Sequence, residues 1–146
     1  MLKTELLAPA GNFEALRAAA CNGADAVYFG GQAFNARVNA DNFTLEEMSE
    51  AADYLHKRNK RALLTLNTLV ANHEILDLLN YIYDAAAGGI DGVIVQDLGV
   101  VQLLRETLPE LPLHASTQMA VHNLAGVKYL EELGFKRAVL SRECSL

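Results

Sequence analysis

One unit recurs three times along the chain and restricts its fold more than any other feature. Asn22-Gly23-Ala24-Asp25-Ala26-Val27, Gly88-Gly89-Ile90-Asp91-Gly92-Val93 and Leu133-Gly134-Phe135-Lys136-Arg137-Ala138-Val139 each read as a helix-ending glycine, a short turn and a buried strand. Strand and helix alternate throughout, which demands parallel pairing with right-handed crossovers. No hairpin signal of the Asn-Gly type joins one strand to the next.

The strands so predicted are six: Glu5 to Ala8, Asp25 to Phe29, Arg61 to Leu66, Gly92 to Val95, Leu113 to Met119 and Ala138 to Ser141. The first breaks at Pro9-Ala10-Gly11, and the second stops at Gly30-Gly31. Helices fill the gaps. Asn12 caps one over 13–22, and Thr44 with Glu47 makes a capping box for one reaching Arg58. Asn72 caps one to Ala87, Leu98 to Thr107 is another, and Asn123 caps the last, with Val127, Leu130 and Leu133 on one face. A doubly wound sheet would favour a G-x-G-x-x-G fingerprint after its first strand, and Pro9-Ala10-Gly11-Asn12 is not one. Six such units suit a (β/α)₈ barrel of the TIM type, which takes roughly 250 residues. The 146 residues are therefore expected to form the N-terminal portion of such a barrel, an incomplete one of about six units. Ser145, read as the cap of a further helix, agrees with that expectation.

Charge and cysteines narrow the setting. The formal net charge is −6, which argues against a nonspecific nucleic-acid or membrane surface on this part of the molecule. Cys21 and Cys144 belong to no C-x-x-C pair, and no Cys/His cluster has zinc spacing. A metal ligand set is not expected in this chain. Lys3 and Glu5 fall where the apolar core of a signal peptide would sit, and no apolar run approaches a membrane span. A cytoplasmic chain without a membrane partner is the expectation.

Chemistry is expected at the carboxyl ends of the strands. The fifth strand places Leu113, Ala115, Thr117 and Met119 on one face and His114, Ser116 and Gln118 on the other. Burying a polar group unpaired costs roughly 1–3 kcal/mol, so this second face looks into a pocket for a polar ligand or forms a self-satisfied patch. Asn67, Gln96, Asp97, Arg142 and Glu143 follow the other strands, with Gly11 and Gly30 where backbone comes close to something. Asn67 and Asp97 read equally as helix caps, and Arg142 with Glu143 as a surface ion pair. Arg37, in the polar loop Gln32 to Asn42, suits an anion clamp or a solvated loop position. There is no G-x-S-x-G elbow, H-E-x-x-H motif or P-loop. A Ser116/His114 pair would need Asp97 as its orienting acid.

Several stretches together resemble one family. Glu5-Leu6-Leu7-Ala8-Pro9-Ala10-Gly11, Gly23-Ala24-Asp25-Ala26-Val27-Tyr28, Asn67-Thr68, His114-Ala115-Ser116-Thr117-Gln118 and Leu140-Ser141-Arg142-Glu143 look like peptidase family U32, the collagenase-like peptidases. The resemblance implies a TIM-like barrel at the start of a longer, bacterial cytosolic protein. It implies either proteolysis or hydroxylation of tRNA or rRNA bases, with RNA or a peptide as the substrate partner. From the strand-end positions above, His114, Ser116, Gln118 and Glu143 are the candidate catalytic groups. Arg37, Asn67, Gln96, Asp97, Arg142, Gly11 and Gly30 are the candidate substrate-binding ones. Some family members carry an iron–sulfur cluster, and the family's cysteine signature lies downstream of the matched region. No cofactor is carried onto a residue present here. A non-catalytic binding module is the third reading, and open sheet edges predict self-association.

Overall fold

The computed structural model describes residues 4–37 and 41–144; Ser145, the expected further cap, lies outside them. The strands are β1 Leu7–Ala10, β2 Ala26–Gly30, β3 Arg61–Leu66, β4 Gly92–Val95, β5 Leu113–Ala115 and β6 Arg137–Ala138. They form one parallel sheet in sequence order, each strand beside the next. Between them lie α1 Phe13–Cys21, α2 Leu45–His56, α3 Ile75–Ala87, α4 Leu98–Thr107 and α5 Leu124–Glu132. The expected alternation is thus present in full.

The recurring glycines explain it locally. Gly23, Gly89 and Gly134 take φ of 99°, 97° and 82°, the left-handed conformation that turns a helix end back toward the next strand. After α2 the same position is filled by Asn59 at φ 55°, so the unit occurs a fourth time without its glycine.

The sheet has two chemically different faces. Val27, Phe29, Leu64, Val93, Leu113 and Ala115 point outward and join Leu16, Met48, Leu55, Leu78 and Leu104 of the helices in one buried cluster. Each of the Val, Leu, Phe and Met side chains contributes roughly 1.5–3 kcal/mol on leaving water. By strand alternation, Leu7, Pro9, Tyr28, Gly30, Leu63, Thr65, Ile94, His114 and Arg137 share the inner face.

That inner face is concave. Five spacings in a flat sheet would part β1 from β6 by roughly 24 Å, beyond the joint reach of a glutamate and an arginine. Yet Glu5, just before β1, pairs through one oxygen with Arg61 of β3 and through the other with Arg137 of β6. The sheet is a curled, incomplete α/β barrel.

Several expected boundaries shift. β1 begins at Leu7 rather than Glu5 and runs through Pro9, which an edge strand tolerates because its missing N–H takes nothing from a neighbour. β5 ends at Ala115 rather than Met119: Ser116 caps a 3₁₀ turn over Thr117–Met119, its Oγ accepting from the Gln118 amide at 3.2 Å. β6 is Arg137–Ala138 rather than Ala138 to Ser141. Asn72 does not cap α3; a 3₁₀ turn Asn72–Glu74 precedes it, and Glu74 closes back on the Ala71 amide at 2.8 Å.

Candidate functional site

Where the strands end at their carboxyl side, the concave face opens into a cavity of about 290 Å³. Its wall is the inner face itself: Leu7 and Pro9 of β1, Tyr28 and Gly30 of β2, Thr65 of β3 and Ile94 of β4. Ser116 and Val139, beyond β5 and β6, complete it, and Gly11, Asn35, Arg37, Asp41, Asn42, Asn67 and Arg142 stand around the rim. Of the sequence-predicted residues, the structure therefore gathers Ser116, Asn67, Arg37, Arg142, Gly11 and Gly30.

The loop after β2 forms one side of this mouth and is held by packing and by amides. Phe43 stacks on Phe29 with ring centroids 4.7 Å apart, and its N–H donates to the Gly30 carbonyl at 3.0 Å, which returns the loop to the sheet. Asn35 is buried beneath it. Its Nδ2 donates to Asn42 Oδ1 at 2.8 Å, and its Oδ1 accepts from the Arg37 amide at 3.3 Å and Thr65 Oγ1 at 3.4 Å. A Cβ on Gly30 would overlap the Asn35 amide, so the glycine is what lets Asn35 lie there. Asn67 ties the loop to β3, its Oδ1 accepting from the Ala36 amide at 3.1 Å.

Other predicted residues are placed elsewhere. Asp97 is the helix cap of α4: its Oδ1 accepts from Gly99 and Val100 at 2.7 and 3.1 Å, and its Oδ2 from Val70 at 3.2 Å. Gln96 is half-buried beside it, outside the cavity lining. Gln118 is exposed on the 3₁₀ turn, because the strand that would have aimed it inward has already ended. Glu143 is exposed and does not line the cavity.

His114 sits below the cavity on the inner face, beside Ile94 and Arg137 in register. It is buried, and its Nδ1 has no hydrogen-bond partner among the described residues. Burial, reinforced by the Arg137 and Arg61 guanidiniums and opposed by Glu5, pushes the imidazole down to about 4. It is neutral at physiological pH and a weak base.

Tyr28, Thr65, Asn35, Asp41 and Asn42 are cavity residues that the sequence reading did not single out as site residues. For Tyr28 and Thr65 the signal was present, since they alternate in phase with Gly30 and Leu63 on strands of known direction. Asn35 and Asn42 sit in a loop without periodicity, and no sequence signal places them.

No group of three or more His, Cys, Asp or Glu is placed to hold a metal ion among the described residues. The thiols do not fit an iron–sulfur cluster either. Cys21 ends α1, at the amino end of the strands, within 4.0 Å of Tyr54 Oη, whereas Cys144 follows β6 at the carboxyl end and donates to the His122 carbonyl. No described helix is long and apolar enough to cross a membrane.

Comparison with known proteins bears on this geometry. The chain is 39% identical over 143 residues to tRNA hydroxylation protein P1 of Bacillus subtilis, covering 98% of this chain and 34% of that protein. It is 38% identical over 144 residues to a 23S rRNA 5-hydroxycytidine synthase of Escherichia coli, covering 99% and 21%. The chain thus spans about a third or less of the length of these relatives. Among solved structures, that of the U32 peptidase Mk0906 superposes with a TM-score of 0.73 at 19% identity, over 94% of this chain and 58% of the other. The model of peptidase family U32 matches residues 11–146, and the chain belongs to that family.

Proposed function

We propose that the protein carrying this chain acts in the hydroxylation of a base in tRNA or rRNA, in the cytoplasm, and that this part of its barrel supplies the pocket for that base. The observation that carries the reading is the cavity at the carboxyl ends of the strands. At about 290 Å³ it lies at the small end of ligand pockets, which run from roughly 300 to 1,000 Å³. That volume suits one planar group drawn out of a stack better than an extended peptide. Tyr28 offers it an aromatic wall, and Ser116 and Asn67 offer hydrogen bonds. The names of the tRNA and rRNA relatives support the same reading. The remaining units of the barrel, and any cluster or oxidant the oxygen transfer needs, belong to the rest of that protein in this proposal.

Proteolysis, the activity in the family's name, finds less support. A serine nucleophile at Ser116 needs a base, and no hydrogen bond joins it to His114, whose imidazole is held neutral down to about 4. Asp97, the only acid offered for a triad, is occupied as a cap and loop clamp.

Nucleoside mass spectrometry on RNA from a strain lacking the gene tests the proposal. A nucleoside one oxygen heavier than its parent should vanish, and should return with the wild-type gene but only weakly with Asn67→Ala. An unchanged nucleoside profile, together with lost collagen or casein digestion, would overturn it in favour of the peptidase.

A further inference from the structure

The chain has arginines at 17, 37, 58, 61, 105, 137 and 142, and all but two spend their guanidinium within the fold. Arg17 lies over the Phe13 ring at 5.0 Å, and Arg58 donates to the Tyr54 carbonyl at 2.9 Å while covering that ring. Arg61 and Arg137 share Glu5, and Arg105 donates to the Gly134 carbonyl. The guanidiniums of Arg37 and Arg142 make no hydrogen bond or ion pair among the described residues, and these are the two arginines that line the cavity. They come from different strand ends, Arg37 after β2 and Arg142 after β6.

We infer that Arg37 and Arg142 clamp one phosphodiester of the RNA at the mouth of this pocket, so that the pocket takes a nucleotide and not a free base. The inference rests on the RNA reading above and adds which group of the substrate is gripped. Three further features carry it. Two groups of the wall keep donors to give: Ser116 has its O–H while Oγ accepts from Gln118, and Asn67 has its NH₂ while Oδ1 accepts from Ala36. Donors beside two guanidiniums select an oxygen-rich, anionic group. The charge also matches. Arg37 and Arg142 against Asp41 leave one net positive charge at the rim of a chain whose net charge is −6, which answers the single negative charge of a diester. Finally, one guanidinium fork satisfies both oxygens of a carboxylate, whereas two from separate strand ends suit a tetrahedral group with oxygens turned to each.

Binding to the full-length protein decides it, with the dinucleoside monophosphates CpC, UpU, ApA and GpG as probes and the four nucleosides and succinate beside them. At least one dinucleotide should bind roughly tenfold or more tightly than its nucleoside. Arg37→Gln and Arg142→Gln should each weaken it roughly tenfold and lower the slope of log affinity against log salt by about one. Arg58→Gln, outside the pocket, should leave both unchanged and serves as the control for folding. Nucleosides binding as well as dinucleotides, indifference to both variants, or displacement by succinate alone would overturn the clamp. The two proposals fail separately. If the deletion strain lacks the hydroxylated nucleoside and the doubly substituted gene restores it in full, the clamp falls and the RNA reading stands. If the variants abolish dinucleotide binding while the RNA of the deletion strain is unaltered, the clamp stands and the hydroxylation reading falls.

Discussion

A single imidazole gives the barrel interior a measurable acid response. His114 is buried on the inner face with its Nδ1 unpartnered among the described residues, beside Arg137 in register and near the Glu5–Arg61–Arg137 cluster. Its folded value lies near 4 against an ordinary 6.5, because burial and two guanidiniums oppose a charged ring. With the folded value depressed, the unfolded chain takes up a proton first as the pH falls. Stability from this group is therefore complete above about 6.5 and drains away between there and about 4. Between pH 7 and pH 5 the loss should be on the order of 2 kcal/mol in urea melts. His114→Leu should abolish that component while leaving stability at pH 7 within about 1 kcal/mol, since it removes an unpaired buried nitrogen. Equal acid sensitivity in wild type and variant would count against the imidazole as its source. The mouth of the pocket, lined by Asn67, Arg37 and Arg142, is separate from this titration, so binding above pH 6 should not follow it.

At the level of elements, the β2–α2 loop is the part whose placement the site depends on, and one glycine governs it. Gly30→Ala would set a methyl into the Asn35 amide and 2.9 Å from Asn42 Oδ1. Asn35 cannot swing aside cheaply, because it is buried and bonded to Asn42, Thr65 and the Arg37 amide. The substitution should cost roughly 1–3 kcal/mol, as overpacking does, and should weaken dinucleotide binding as Arg37→Gln does. Gly11→Ala is the contrast: a Cβ there meets only the Asp41 carbonyl at 4.0 Å, and its stability should stay within about 0.5 kcal/mol of wild type. Equal melts for the two variants would remove Asn35 from its role. These dependencies also show what a sequence can reveal. The β/α alternation, the Asn12 and Asn123 caps and the Thr44–Glu47 box follow from local hydrogen bonding, and each occurs where local chemistry requires it. Boundaries beyond β5 and at β6 were misread because apolar alternation continues after pairing stops. Ser116 leaves the strand to cap a turn, and Gln118 goes outward with it. Asn35, Asn42 and Asp41 sit in a loop held by its own amides and by packing on β2 and β3, which no periodicity encodes.

Over the whole molecule, the curl of the sheet is what turns scattered strand ends into one mouth, and it leaves β1 and β6 as edges of the described sheet. Both edges are blunted. β1 carries Pro9, which cannot donate to an incoming strand, and β6 is two residues long. Glu5 restrains them further by binding Arg61 and Arg137 across the hollow, and those two guanidiniums hold its carboxyl below the usual carboxylate range. This chain expressed by itself should still associate, because the concave inner face keeps Leu7, Pro9 and Ile94 around an open cavity and the edge backbone groups unpaired. Light scattering should show a mass that rises with concentration. Glu5→Gln should raise it further by loosening the link between the edges, whereas a charged residue in place of Leu7 should lower it. A monodisperse monomer at every concentration, unchanged by Glu5→Gln, would mean that the edges seal themselves and that the Glu5 bridge contributes nothing to holding the barrel's curl.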